Sequence, residues 1–176
     1  ADSCLVYNYL NVTYQADGTY VKTDDFYQKV LTEAGRQELR EITMNFNENY
    51  NKYSIEVVEV IKPDGKIVKV DLKGNLKVAI DSSQMGSNIF DPADKVLSFS
   101  IPNLAIGDTV HIKSVETGFK SRIPNQFSDI MVLQLNIPIL HYDIEVDGPA
   151  SLPLKAIAIK DKEKNISYRI EFSHGL

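Results

Sequence analysis

Apolar and polar residues alternate along most of this chain in short runs separated by Gly-marked turns. Leu5 to Tyr14 (LVYNYLNVTY) is aromatic and β-branched, and Asp17-Gly18 turns it into Thr19 to Leu31, which predicts a long opening hairpin. Ile55, Val57, Val58, Val60 and Ile61 form a β run ending at Pro63-Asp64-Gly65. Ile67 to Val70 returns as its partner, and Leu76 to Ile80, after Lys73-Gly74-Asn75, predicts a further strand. Leu97, Phe99 and Ile101 alternate with Ser98 and Ser100, and Val110 and Ile112, beyond Ile106-Gly107-Asp108, alternate with His111 and Lys113. Ile130 to Ile137 is nearly all apolar, as a strand covered on both faces would be. Leu140, Tyr142, Ile144 and Val146 alternate with His141, Asp143 and Glu145. Ile157 and Ile159 precede a charged turn, Asp161 to Asn165, and Ile166, Tyr168, Ile170 and Phe172 close the pattern.

Only Thr32 to Glu41 (TEAGRQELRE) has helix-forming composition. Gly35 near its start and the lack of an apolar stripe predict a single turn rather than a full helix. Asp81 to Asp94 has no periodicity and predicts a long loop. The class is all-β, with roughly ten strands and at most one short helical turn. An antiparallel sheet with one apolar face must bury it against another layer, so an antiparallel two-sheet β-sandwich is expected. A closed barrel is the alternative that periodicity leaves open. Leu97, Phe99, Ile101, Val110, Ile112, Tyr142, Ile144, Ile170 and Phe172 are expected to line one core.

At 176 residues, 43% hydrophobic and 24% charged, the chain suits one domain with a full core, residues 1–176. One Cys excludes an internal disulfide, and no disulfide or metal staple is needed at this size. The net charge of -5 is spread along the chain without a basic run, which argues against nucleic acid as a partner. No stretch approaches the ~20 apolar residues of a membrane span. A start at Ala1-Asp2-Ser3 fits removal of a signal peptide.

Candidate chemistry is sparse. Cys4 lies beside Leu5 and Val6 without a neighbouring cation to lower its pKa, a poor nucleophile. His111, His141 and His174 lack the short spacings of a zinc site, and His111 and His141 read as solvated strand-face residues. A strand would turn Asp24 and Asp25 to opposite faces. Asp91 and Asp94 flank Pro92 and suit turn formation better than calcium. Asn45, Asn47, Asn49 and Asn51 alternate with larger residues, a ladder of amides that meets water or a sugar. No cofactor motif is present, and no catalytic, cofactor-binding or metal residue is assigned. The second long loop, Gly118 to Asp129, holds Phe119, Ile123 and Phe127 beside Lys120 and Arg122. Apolar anchors near an Arg suit an interface, which makes Phe119, Arg122 and Phe127 interaction candidates. Folding back over one end of the sandwich is the competing reading of the same residues.

Several motifs follow one another in a family-like order. They are Asp17-Gly18-Thr19-Tyr20, Val30 to Arg36 (VLTEAGR), Val60 to Lys66 (VIKPDGK), Asp91 to Val96 (DPADKV), and Ile101-Pro102-Asn103-Leu104 with Gly107-Asp108. From about Tyr7 to Phe172 the chain resembles the domain of unknown function that stands N-terminal to transglutaminase-like domains in secreted or periplasmic proteins of Gram-negative bacteria. The resemblance implies an immunoglobulin-like sandwich, exported to the envelope as part of a longer protein. It further implies a downstream domain that carries the Cys-His-Asp chemistry, so no catalytic residue carries over to this chain. The expected role is non-catalytic: positioning a substrate or partner for the adjacent transglutaminase-like domain. A stand-alone carbohydrate- or peptide-binding module and a structural spacer are the alternatives.

Overall fold

The opening hairpin forms as its pattern predicts. β1 (Ser3–Tyr14) and β2 (Tyr20–Val30) pair antiparallel from Ser3 opposite Val30 to Tyr14 opposite Tyr20. Gly18 makes the turn: its φ of 85° is left-handed, and a Cβ there would stand 2.1 Å from the Gln126 carbonyl oxygen. The computed structural model describes residues 1–87 and 90–159.

After β2 comes a helix longer than the single turn expected, α1 (Glu33–Leu39). Thr32 caps it by accepting from the Gly35 N–H at 3.2 Å, and Glu33 pairs with Arg36 at 2.5 Å. Gly35, which weakens a helix in isolation, lets this one lie against the Asp2 backbone, where a Cβ would come within 1.9 Å of the Asp2 carbonyl oxygen. Leu39 is buried in the core beyond it. Capping and packing thus override a mediocre propensity.

The strands that follow are β3 (Glu41–Asn47), β4 (Asn51–Ile61), β5 (Ile67–Lys69), β6 (Lys77–Ile80), β7 (Asp94–Ser100), β8 (Thr109–Gly118) and β9 (Tyr142–Asp147). They build a six-stranded sheet in the order β5-β4-β8-β2-β1-β9 and a three-stranded sheet in the order β3-β7-β6. The protein is therefore an all-β sandwich. One pair departs from the antiparallel expectation, since β1 and β9 run parallel, with Asn8 opposite Tyr142 and Val12 opposite Val146.

The core lies between β2, β4 and β8 of the large sheet and β3 and β7 of the small one. Leu97, Phe99, Ile101, Val110 and Ile112 are all buried there, as their alternation predicts. Tyr142 and Ile144 are only half-buried and stand outside this cluster, because β9 is at the far edge of the sheet. Ile170 and Phe172, with the rest of the closing pattern, lie outside the described residues.

The apolar run Ile130 to Ile137 is not a strand, and neither are Ile157 and Ile159. The topology supplies the reason for the first. β8, β1 and β9 all point the same way, and parallel strands of one sheet cannot be joined by a tight turn. The chain leaves β8 at Gly118 and must cross β2 and β1 to reach β9. Residues 119–141 are that crossover, laid over the inner face of the large sheet. Their backbone bonds to the strand-connecting turns at the start, from the Phe119 N–H to the Tyr50 carbonyl at 3.0 Å and from the Asn125 N–H to the Asp17 carbonyl at 3.3 Å. At the end it bonds to β1, through the Leu5–Ile139 bridge and the bond from the Asn8 N–H to the His141 carbonyl at 3.1 Å.

Candidate functional site

The inner face of the large sheet changes character along its strands. Near one end the register aligns Phe26, Ile112 and Val58, all apolar. Two residues further on, the same phase brings Leu10, Asp24 and Ser114 into line, then Val12, Lys22, Glu116 and Tyr53, then Tyr14, Tyr20, Gly118 and Asn51. Polar groups at an inward phase must find partners, because their desolvation is otherwise uncompensated.

Glu116, only 6% exposed, is the hub. It accepts from the Tyr20 hydroxyl, from Asn51 Nδ2 at 2.6 Å and from the Tyr53 hydroxyl at 3.0 Å, and Lys22 Nζ lies 3.6 Å away. Burial pulls its carboxyl up, but the Tyr20 bond, the Lys22 charge and the Asn51 and Tyr53 bonds outweigh this and hold it below its ordinary value. The same pairing, with burial as the leading cause, raises the phenols of Tyr20 and Tyr53. Lys22 also grips Asp129 of the crossover at 2.5 Å. Tyr20 reaches Glu116 because its ring lies over Gly118, where a Cβ would stand 2.1 Å from the ring. Gly118→Ala is therefore expected to push Tyr20 off its acceptor and cost about 1–3 kcal/mol, as overpacking does, measurable by urea denaturation.

The small sheet is half as wide as the large one, so the crossover rather than a strand roofs this region. Beneath it is a cleft of about 230 Å³ between the polar row and the apolar side chains of Leu10, Met44, Ile130, Met131 and Val132. Tyr142 lines it too, its phenol pushed up to about 12 by burial and by the charges of Asp24 and Asp129. Burial likewise raises the Asp24 carboxyl, against the pull of Asn8 and Lys22.

The interaction candidates separate in the structure. Phe127 stacks on Tyr14 at 4.5 Å and meets the Tyr20 edge at 5.7 Å, which pins the crossover to the sheet. Arg122 lies over the Tyr50 ring at 4.5 Å, and Phe119 and Ile123 face outward. Asp24 and Asp25 do point to opposite faces, and Asp25 meets His111 on the outer one at 2.8 Å. His111 is not solvated as expected: it stacks on Tyr27 at 4.1 Å and contacts Glu59 at 3.3 Å, because two strands flank β8 on that face. His141 stacks on Tyr7 at 5.4 Å. Asp91 forms a turn, accepting from the Ala93 N–H at 2.9 Å, and Asn47 Nδ2 donates to both Asp91 and Asp94. Of the Asn ladder, Asn47 and Asn51 are structural ties rather than a row facing water. Cys4 is half-buried opposite Lys29, and among the described residues no hydrogen bond joins it to a histidine. No group of three or more His, Cys, Asp or Glu suited to a metal gathers among the described residues, and no described helix is long and apolar enough to cross a membrane.

The sequence matches the model of DUF3857, a domain of unknown function with solved structures, over residues 16–174. The chain belongs to that family. No curated protein matches it. Among solved structures, this DUF3857 chain is similar to a protein of Parabacteroides distasonis assigned provisionally as a protease, with a TM-score of 0.72 and 16% identity over 86% of this chain. It spans 30% of that protein's length, and the likeness is one of fold. Weaker likenesses are to an M1 zinc metallopeptidase of Deinococcus radiodurans (TM-score 0.35, 12% identity, 66% of this chain and 20% of that one) and to the CBM3a-L domain of the Clostridium thermocellum scaffoldin cipA (TM-score 0.39, 13% identity, 74% and 79%).

The polar hub escapes a reading based on apolar periodicity. Its signal is nonetheless in the chain: Asp24, Lys22, Ser114 and Glu116 share the strand phase of Phe26 and Ile112.

Proposed function

We propose that this DUF3857 chain is a non-catalytic module of an exported, periplasmic protein that docks against a transglutaminase-like domain and positions substrate for it. The observation that carries this reading is the crossover itself. It is pinned from below by Phe127 and Asp129, yet it leaves Ile130 (89% exposed), Val132 (62%) and Leu140 (69%) open to solvent, the first two at the edge of the cleft. Apolar side chains held out on an anchored segment suit a protein interface. A region of similar fold spans 30% of the longer Parabacteroides distasonis protein. The carboxylate hub favours a structural role over a catalytic one, because the donors around Glu116 leave it no free site for proton transfer.

The test uses the full-length protein. Ile130→Asp and Arg122→Glu should loosen the domain contact, seen as faster amide exchange across residues 119–141, while the melting temperature of the isolated module changes little. Arg122 contributes only an exposed cation–π contact, on the order of 0.5–1 kcal/mol. A full-length protein without a transglutaminase-like domain, or exchange that is as fast in the full-length protein as in the module, overturns the reading. So does turnover of a peptide or ester by the module that Cys4→Ser abolishes.

A further inference from the structure

Two acceptors beside the cleft lack donors. Asp24 Oδ1 and Asn8 Oδ1 are both fully buried and make no hydrogen bond, and Asn8 as a whole is only 7% exposed. Both residues are on the inner face. Asn8 stands in register with Tyr142, and Asp24 with Leu10 and Ser114, all three of which line the cleft. Asn8 stands opposite Phe26 and Leu10 opposite Asp24, so Asn8 and Asp24 are diagonal neighbours on one face, and the Asn8 amide bonds to the Asp24 carboxyl and draws it down. Buried acceptors left unpaired are costly, so a native site that keeps two of them together is short of a donor.

The surrounding charges indicate what kind of donor is missing. Lys22 is engaged by Asp129 and Glu116, which leaves Asp24 as the carboxylate of this row without a cation in contact. Burial first, and then the charges of Asp24 and Asp129, raise the phenol of Tyr142, so negative charge faces the cleft from this side. The rest of the lining is apolar: Leu10 beside Asp24, Met44 of β3, and Met131 and Val132 of the crossover. At about 230 Å³ the space exceeds the ~150 Å³ that accommodates benzene in an apolar cavity.

We propose that this cleft binds a primary alkylammonium group, its nitrogen donating to Asp24 Oδ1 and Asn8 Oδ1 and its alkyl stem lying along Leu10, Met44 and Val132. The lysine side chain of a peptide and a free alkylamine share this chemistry. An ammonium has three donors, enough for both orphan acceptors, and the stem removes apolar wall from water. An anionic or neutral polar ligand would leave the Asp24 charge unpaired.

NMR titration of the 176-residue chain, read at the methyls of Met44 and Met131, tests the site. n-Pentylamine is expected to give saturable shifts, and 1-pentanol, its neutral analogue, much smaller ones. Asp24→Asn and Asn8→Ser should each weaken pentylamine about tenfold or more, the loss of a charged hydrogen bond. Nα-acetyl-lysine methylamide distinguishes the sources: tighter binding than pentylamine identifies a peptide lysine, and equal or weaker binding a free amine. Equal shifts with pentanol and pentylamine overturn the proposal without any variant. No saturable shift also overturns it. Undiminished pentylamine binding to the variants overturns it as well. None of these outcomes depends on a downstream domain, so the docking reading stands or falls separately.

Discussion

Replacing Phe99 with Ala is expected to destabilise this protein by about 3–5 kcal/mol, the range for deleting a buried aromatic ring. Phe99 is 2% exposed and stands at the centre of the layer between the sheets, opposite Ile42 in the β3–β7 pair. Nothing nearby can collapse into the space without dragging a strand, because its neighbours Val58, Val110 and Ile112 belong to ladders of the other sheet. At about 2–4 °C per kcal/mol for a domain of this size, the melting temperature should fall by roughly 6–20 °C. Calorimetry of the isolated chain checks this. A loss below about 1 kcal/mol would show that the two sheets do not share a close-packed layer at this position.

Glu116→Ala should have an effect of comparable size for a different reason. The substitution removes no large volume, but it strands the hydroxyls of Tyr20 and Tyr53, the Asn51 amide and one partner of Lys22. Breaking a buried pair from one side costs about 3–5 kcal/mol, and Lys22 keeps Asp129, so the lower end is expected. The same residue shapes the acid limb of stability. Its folded-state pKa is lowered from 4.5, so its contribution is complete above 4.5 and is lost as pH falls below that value through the folded pKa. Asp24 acts in the opposite sense. Its folded pKa is raised from 3.8, so its carboxyl favours folding at low pH and loses that contribution as pH rises from 3.8 through the folded value. Glu116→Gln should flatten the acid limb of a stability–pH curve below pH 4.5, whereas Asp24→Asn should raise stability at neutral pH relative to the unsubstituted chain. A curve unchanged by Glu116→Gln would remove Glu116 from its place as hub.

The strands legible in the chain were those with partners near in sequence or with a clear inward phase. The β1–β2 hairpin follows from alternation and a left-handed Gly18, and the buried stripe of Leu97, Phe99 and Ile101 from period two alone. Local propensity understates α1 because its support comes from the Asp2 backbone and from Leu39 in the core, contacts that no local propensity contains. Ile130 to Ile137 misled for the converse reason. Apolar content marks a segment that covers something, and a crossover strap lying on a sheet needs that as much as a buried strand does.

What the sequence determined by itself was the class: alternation with period two, punctuated by turns, commits the backbone to strands and their apolar phase to a second layer. Which strands became neighbours was decided only in three dimensions. The parallel placement of β9 beside β1 forces the chain across the sheet after Gly118, and that crossing creates the cleft and leaves Ile130 and Val132 exposed at its edge. The phase of Lys22, Asp24 and Glu116 was written in the chain, but their meeting was not. A side chain's direction follows from its own strand, whereas its partner across the ladder depends on register between segments as distant as β2 and β8, which only the packed sheet fixes.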